Sequence, residues 1–111
     1  MGIMDLLKKL DINKVDINDG VEQYRQTENA VLLDVRNDDE YASGHIPGSQ
    51  NLDVQSIRKV SRFIEDRDTP FFVYCYSGGR SAQAVSILRK MGYTNVTNIG
   101  GIAGYRGEIE R

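Results

Sequence analysis

The sequence contains only one cysteine, Cys75, and only one histidine, His45, among its 111 residues. A single cysteine cannot form an internal disulfide, and it excludes thiol chemistry that needs a second, resolving cysteine in the same chain. One histidine and one cysteine also make too small a ligand set for an ordinary zinc site, so we expect no metal and no other cofactor. Any thiol that reacts with Cys75 must therefore come from another molecule.

Long apolar runs and a strong excess of either charge are also missing. No stretch approaches the roughly 20 apolar residues of a membrane-spanning helix, and the N-terminus lacks the basic-then-apolar order of a secretion signal. Fourteen basic and sixteen acidic residues give a net charge of -2, whereas a nucleic-acid-binding domain needs a basic surface to neutralise phosphates. We therefore expect a cytoplasmic protein that binds neither membranes nor nucleic acid.

The length of the chain favours one compact domain. A sequence with 40% hydrophobic and 27% charged residues has an ordinary composition, and its length leaves no room for two independent cores. Four apolar residues near the N-terminus have the spacing of one face of a helix: Ile3, Leu6, Leu7 and Leu10. We predict an N-terminal amphipathic helical extension over residues 1–13, which packs on the domain or on a second copy, and a main domain over residues 14–111.

Two short apolar runs predict buried strands. Residues 31–35 and 71–74 are too short for helices and nearly all apolar, as is typical of strands that are buried on both faces of a parallel sheet. Weaker strand signals occur at residues 15–17, 50–52 and 95–99.

Helix signals alternate with these strands. The predicted helices lie at about residues 18–26, 37–43, 53–64 and 81–91. Asn18 and Asp53 are the expected N-caps of the first and third helices, and Gly92 is the expected stop of the last. Alternating strands and helices predict an α/β domain with a mostly parallel sheet that is covered by helices on both faces.

The segment from Tyr74 to Ser81 carries the strongest functional signal. It joins a buried strand directly to a helix, so its loop lies at the carboxyl edge of the sheet, where open α/β sheets bind ligands. Gly78 and Gly79 allow successive backbone N–H groups to point at one centre, and the helix N-terminus adds more N–H groups and a positive dipole end. The pattern predicts an anion-binding loop.

Cys75 stands at the rim of this loop. A free cysteine is more often a small buried hydrophobic residue than a reactive one. Its position between an apolar strand and a glycine-rich helix start nevertheless favours a functional role. The N–H donors and the nearby Arg80 should stabilise a thiolate and lower the pKa of the thiol below the usual value of about 8.5. Cys75 is therefore predicted to be a nucleophile near neutral pH.

Five motifs, in this order and spacing, resemble the rhodanese homology domain: Asp34-Val35-Arg36, Glu40-Tyr41, Gly44-His45-Ile46-Pro47-Gly48, Tyr74-Cys75 through Arg80-Ser81, and Asn98-Ile99-Gly100-Gly101. The resemblance implies a three-layer α/β domain with a central, mostly parallel five-stranded sheet flanked by helices. It also implies a sulfurtransferase of the thiosulfate sulfurtransferase type. Cys75 would take a sulfane sulfur from thiosulfate or a persulfide, hold it as a persulfide, and pass it to a thiol or cyanide.

The resemblance also assigns roles within the loop. Catalysis falls to Cys75, and substrate binding falls to the residues that follow it: Tyr76, Ser77, Gly78, Gly79, Arg80 and Ser81. The backbone amides of the loop would stabilise the persulfide. Arg80 would help to bind the donor.

Residues outside the loop are expected to have structural or supporting roles. Asp34 and Arg36 follow a buried strand toward the same sheet edge as the reactive cysteine, so we expect them to support the site. His45 lies in a Gly/Pro turn and is expected to shape that turn rather than to act as a general base. Glu40 is expected either to form a capping box with Asn37 or to pair with Arg36.

Loop length separates sulfur transfer from its nearest rival. Phosphatases and arsenate reductases of the same fold place one more residue between cysteine and arginine than the four found here. The smaller ring suits a sulfur atom better than a tetrahedral oxyanion. Tyr76 stands where many such sulfurtransferases have a basic residue. This difference leaves the donor open and keeps an alternative in view: a persulfide carrier in a sulfur-assembly pathway, loaded by a protein donor.

Overall fold

The structure is a computed structural model that describes residues 15–111. The helical extension expected over residues 1–13 lies outside the described residues and stays a prediction. The elements, in chain order, are α1 (Ile17–Gln26), β1 (Val31–Asp34), α2 (Asp38–Ser43), β2 (Gln50–Asn51), a 3₁₀ helix (Val54–Arg62), β3 (Phe71–Cys75), α3 (Gly79–Lys90), β4 (Val96–Gly101) and a second 3₁₀ helix (Ile102–Gly104).

The strands form one parallel sheet in the order β2, β1, β3, β4. The two apolar runs of the sequence are its central strands, as predicted, and every residue of β3 is buried. A shift of register after Val73 places Tyr74 opposite Gly100 and Cys75 opposite Gly101. The carboxyl end of β3 therefore lies beside the glycine pair of β4.

The resemblance implied five strands, whereas the described residues form four. The segment predicted as a strand at residues 15–17 makes one sheet-like bond, from the Val15 N–H to the Asn98 carbonyl at 2.8 Å. The Asp16 carboxylate then accepts a hydrogen bond from the Asn18 N–H at 3.0 Å and caps α1. Because the helix begins at Ile17, no strand can form. The prediction of Asn18 as the cap is also wrong, since Asp16 has that role.

Helices cover both faces of the sheet, as predicted. Neighbouring residues of a strand point to opposite faces, so Leu32 and Leu33 enter different cores. The core beneath α1 contains Ile17, Val21, Leu32, Ile46, Phe72, Tyr74 and Ile99. The core beneath the longer 3₁₀ helix and α3 contains Leu33, Val35, Val54, Ile57, Val60, Phe71, Val73, Cys75, Ala84, Val85, Leu88, Tyr93 and Val96. Each large apolar side chain buried in this way contributes about 1.5–3 kcal/mol to folding.

The helix predicted at residues 53–64 is a shorter 3₁₀ helix. Val54, Ile57 and Val60 recur at every third residue, which matches three residues per turn and places all three on the buried face. The Asp53 carboxylate accepts a hydrogen bond from the Gln55 N–H at 2.9 Å, so the predicted cap is confirmed.

The helix α3 begins at Gly79, before its predicted start at Ser81. Gly92 has a φ of +100°, a left-handed conformation, and ends the helix as predicted. The early start matters for function because it brings the free N–H groups of the helix to the end of β3. None of the helices within residues 15–111 is long and apolar enough to span a membrane.

Candidate active site

Cys75 is the last residue of β3, and its side chain is enclosed by the turn that leads into α3. The Gly78 N–H donates a hydrogen bond to Cys75 Sγ at 2.9 Å. The Ser81 hydroxyl oxygen lies 3.5 Å from the same sulfur. The sulfur therefore contacts both the backbone of the loop and the first turn of the helix, as the sequence predicted for an anion-binding loop.

The pKa of the Cys75 thiol lies below its ordinary value, although the side chain is buried. Burial is the largest single influence and raises the pKa. Hydrogen bonds from the Ser81 hydroxyl and from the backbone N–H groups of Ser81, Gly78 and Ser77 lower it, and together they outweigh burial. The direction agrees with the prediction of an activated thiol.

The two glycines of the loop have different roles. Gly78 precedes α3 with a φ of +107°, a conformation that side-chain-bearing residues rarely adopt. A Cβ added at Gly79 would meet no atom within 4 Å. The loop geometry therefore requires glycine at the first of the two positions only.

The loop rests on the end of β4. A Cβ at Gly101 would overlap the Tyr76 carbonyl oxygen and come within 2.6 Å of the Ser77 Cα. The Ala103 N–H donates to that same carbonyl at 3.1 Å. The final glycine of the Asn98 to Gly101 motif thus lets the cysteine loop pack directly on the sheet.

Arg80 is held by an acidic residue of another helix. Its two terminal nitrogens donate to Glu40 Oε1 and Oε2 at 2.6 and 3.0 Å. These hydrogen bonds from Arg80 lower the pKa of Glu40 to about 2. Both side chains are about one third exposed, at 37% and 30%. The arginine assigned to donor binding therefore already has a partner.

The sequence did not reveal this role of Glu40. The predicted capping box is present, because the Glu40 N–H donates to Asn37 Oδ1 at 2.9 Å and the Asn37 N–H donates to Glu40 Oε1 at 3.2 Å. The alternative pairing of Glu40 with Arg36 is wrong, since the guanidinium of Arg36 binds Asp34 instead. Nothing in the local pattern connects Glu40 with Arg80, which is 40 positions away.

Asp34 and Arg36 form a buried ion pair at the carboxyl end of β1. Arg36 Nη2 lies 2.7 Å from Asp34 Oδ2, and the side chains are 6% and 0% exposed. The same nitrogen donates to the Gly44 carbonyl at 2.7 Å, which fixes the chain on both sides of α2. Within the described residues, neither side chain makes a hydrogen bond to Cys75. Their supporting role at the site stays a prediction.

His45 makes its contacts away from the cysteine loop. Its ring stacks on Tyr41 with 3.7 Å between centroids, and its Nδ1 lies 2.8 Å from the Tyr41 carbonyl oxygen. Its Nε2 lies 3.5 Å from Glu110 Oε1. These contacts support the structural role expected from the sequence.

Asn98 is the residue of the site that the sequence analysis missed as an individual contributor. It is 6% exposed, and its Oδ1 lies 2.8 Å from Ser81 Oγ. The same oxygen accepts a hydrogen bond from the Gly100 N–H at 2.9 Å. The available signal was a polar side chain within an otherwise buried strand, because such groups need partners inside the protein.

Comparison with known proteins places this arrangement in a family. Residues 18–108 match the family model described as the Rhodanese-like domain. The chain belongs to this family. The thiosulfate sulfurtransferase GlpE of Pseudomonas entomophila is 40% identical over 76 residues, which are 68% of this chain and 69% of that protein. The thiosulfate sulfurtransferase PspE of Escherichia coli is 35% identical over 71 residues, which are 63% of this chain and 68% of that protein.

Solved structures agree with the rhodanese-like fold. A rhodanese with anions from E. coli is 30% identical, with a TM-score of 0.69 over 74% of this chain and 98% of that one. The crystal structure of SSP1007 from Staphylococcus saprophyticus is 27% identical, with a TM-score of 0.76 over 89% of this chain and 99% of that one. The three-layer α/β fold that the resemblance implied is confirmed, with four strands in the described residues.

In this rhodanese-like domain, the cysteine loop has the parts that a nucleophilic sulfur needs. An N–H donor and the positive end of a helix face the sulfur of Cys75, and both favour its thiolate form. No general base is required when the thiolate exists before the reaction. Within residues 15–111, no group of three or more His, Cys, Asp or Glu side chains is placed to hold a metal ion.

Proposed function

We propose that the chain is a sulfurtransferase in which Cys75 carries a sulfane sulfur as a persulfide. The proposal is carried by one observation: Cys75 Sγ lies inside the turn at the start of α3 and accepts a hydrogen bond from the Gly78 N–H. A loop of this kind stabilises a sulfur anion at neutral pH. The relatives named thiosulfate sulfurtransferase, at 35–40% identity, support the same class of chemistry.

Sulfur transfer then takes place in two displacements. The Cys75 thiolate attacks the outer sulfur of thiosulfate or of a persulfide donor. The S–S bond of the donor breaks, and its electron pair leaves with sulfite or a thiolate. An acceptor thiolate or cyanide next attacks the outer sulfur of the Cys75 persulfide, and the electron pair of that S–S bond returns to Sγ. The loop N–H groups are fixed before the reaction, so they stabilise the anions without reorganisation.

A persulfide carrier is the second candidate, and the charges around the loop favour it over a protein that depends on thiosulfate. Tyr76 follows the cysteine with a side chain that is 56% exposed and uncharged at neutral pH. The charge of Arg80 is matched by Glu40 through two hydrogen bonds. A dianion such as thiosulfate therefore meets helix N–H groups and a neutralised arginine, whereas a singly charged persulfide needs less compensation. We propose a protein or low-molecular-weight persulfide as the preferred donor.

Phosphatase or arsenate reductase activity is the remaining alternative, and loop length disfavours it. Four residues separate Cys75 from Arg80, and the sulfur is already within hydrogen-bond distance of the Gly78 N–H. We expect no hydrolysis of a small aryl phosphate above background.

The test is to incubate the protein with a sulfur donor and to measure its intact mass by mass spectrometry. Incubation with thiosulfate or glutathione persulfide should add one sulfur atom to the intact mass, and a thiol reductant should remove it. The variant Cys75→Ser should stay unloaded. Loading of the serine variant, or no loading of the parent by any donor, contradicts the proposal. Steady-state transfer to cyanide distinguishes the two candidates, because a persulfide carrier has a higher kcat/KM with glutathione persulfide than with thiosulfate.

A further inference from the structure

The buried Ser81 hydroxyl is surrounded by more hydrogen-bond acceptors than it can donate to at one time. Its Oγ lies 2.8 Å from Asn98 Oδ1, 2.9 Å from the Gly78 carbonyl oxygen and 3.5 Å from Cys75 Sγ. A hydroxyl carries one proton and therefore donates in one direction at a time. The direction of this single O–H bond decides whether the sulfur receives a hydrogen bond from Ser81.

Asn98 can lose the hydrogen bond from Ser81 without being left unpaired. Its Oδ1 also accepts the Gly100 N–H at 2.9 Å, so that oxygen keeps one partner when the hydroxyl turns away. Leaving a buried acceptor without any partner costs about 1–3 kcal/mol. The second bond to Asn98 removes this penalty and makes both orientations of the Ser81 hydroxyl accessible.

We propose that Asn98 is a positioning residue that competes with the Cys75 sulfur for the Ser81 proton and thereby sets the reactivity of the thiol. In the neutral thiol, the Cys75 S–H donates to Ser81 Oγ, and the Ser81 O–H donates to Asn98 Oδ1. In the thiolate, the Ser81 O–H turns to the sulfur, and Asn98 keeps its bond from Gly100. The inference rests on the proposed role of Cys75 as the reacting thiol.

The same movement accompanies each half of the transfer cycle. When Cys75 becomes a persulfide, the negative charge moves to the outer sulfur and the Ser81 O–H turns back to donate to Asn98 Oδ1. When the acceptor removes the outer sulfur, the electron pair of the S–S bond returns to Sγ, and the Ser81 O–H again donates to it. Ser81 thus stabilises the leaving thiolate, and Asn98 Oδ1 accepts the Ser81 hydrogen bond while Cys75 is a persulfide.

Other charges near the sulfur are compensated and stay constant in the test below. Arg80 of α3 interacts electrostatically with Cys75. Glu40 of α2 pairs with Arg80. At the end of β1, Asp34 is paired with Arg36. The strand β4 carries no charged residue, and the basic side chains of the longer 3₁₀ helix are exposed.

The decisive variant is Asn98→Asp, read through the pH dependence of Cys75 alkylation. Aspartate has nearly the same shape and still accepts from Gly100, but its carboxylate binds the Ser81 proton more strongly and repels a thiolate. We expect the alkylation midpoint to rise by about one pH unit or more. The matched control is Asn95→Asp, an exposed change just before β4, which should leave the midpoint in place.

The same substitutions made in the Ser81→Ala variant separate the effect of the Ser81 hydroxyl from the effect of the added charge. In Ser81→Ala, the shift caused by Asn98→Asp should fall to the part that comes from the added charge. The uncharged variant Asn98→Ala should lower the midpoint when Ser81 is present and leave it unchanged when Ser81 is alanine. Asn98→Ala carries the test by itself if the aspartate variant does not unfold cooperatively. Equal shifts in both backgrounds, or no shift from either substitution, overturn the proposal.

Alkylation needs no sulfur donor, so this test is independent of the proposed function. If the midpoints move as expected while the parent loads sulfur from no donor, the role of Asn98 stands and sulfur transfer does not. If the parent loads sulfur and the midpoints stay fixed, sulfur transfer stands and the role of Asn98 does not.

Discussion

Glu40 of α2 binds both terminal nitrogens of Arg80, the second residue of α3. The pair holds the first turn of α3 against α2, and this turn supplies Ser81, whose hydroxyl oxygen lies 3.5 Å from the cysteine sulfur. It also neutralises an arginine that interacts electrostatically with Cys75. Glu40 therefore influences both the shape of the loop and the charge that an incoming donor meets.

The first prediction is that Glu40→Gln shifts donor preference toward thiosulfate. Without the carboxylate, the charge of Arg80 is no longer matched and becomes free to attract a dianion. We expect the KM for thiosulfate to fall by up to about fivefold, the equivalent of the roughly 1 kcal/mol that a partly exposed ion pair contributes. The KM for glutathione persulfide should change less, as measured by steady-state transfer to cyanide.

Asp39→Asn is the matched control for this prediction. Asp39 lies in the same turn of α2 and is exposed, so its substitution removes the same charge without freeing Arg80. An equal fall in KM for both variants would show that the effect arises from general charge and not from the ion pair.

The second prediction concerns stability in acid. The pKa of Glu40 is about 2 in the folded protein, against an ordinary value of 4.5, because Arg80 stabilises the carboxylate. A group whose pKa is lowered by folding stabilises the protein above its unfolded pKa and loses this contribution as pH falls through the folded pKa. The stability difference between the parent and Glu40→Gln should therefore be constant above pH 4.5 and shrink as the pH falls toward 2. Urea unfolding of both proteins across this range measures it, and a difference that grows on acidification contradicts the assignment.

The third prediction contrasts the two glycines of the loop. Gly78→Ala forces a side chain into a φ of +107°, which costs about 1–2 kcal/mol. Gly79→Ala places its Cβ in open space and should leave both stability and sulfur loading close to parental. Urea unfolding and mass-detected loading measure the two effects. Equal losses in both variants would show that the glycine pair is needed for flexibility rather than for one backbone conformation.

The fourth prediction is that one glycine inserted between Gly79 and Arg80 damages sulfur transfer more than folding. The insertion lies at the N-terminal end of α3, where the turn from β3 can lengthen at little cost in closure entropy. The insertion displaces Ser81 relative to Cys75, and a misplacement of about 1 Å in an active site can reduce the rate about a hundredfold. Cooperative unfolding confirms that the variant folds, and thiocyanate formation measures transfer. A folded insertion variant with the parental rate would refute the argument from loop length.

Local sequence signals predicted the elements that local interactions form. The strands β1 and β3 follow from short apolar runs, and α2 follows from the capping box of Asn37 and Glu40, because each signal lies within a few residues. The strand prediction at residues 15–17 was wrong for a local reason, because Asp16 caps a helix that begins at Ile17. The position of Cys75 at the start of a helix was also predictable, because the strand, the glycines and the helix start are adjacent in the chain.

The contacts that tune the site were decided by tertiary structure. Glu40 reaches Arg80 across 40 positions, and Asn98 reaches Ser81 across 17. These two contacts form because β1, β3 and β4 are neighbours in one parallel sheet. Their carboxyl ends and the turns that follow them therefore meet at one edge. Strand order and register are set by the burial of both sheet faces rather than by any short segment. The sequence thus determined which residue is the candidate nucleophile, and the packing of the sheet determined which side chains surround it.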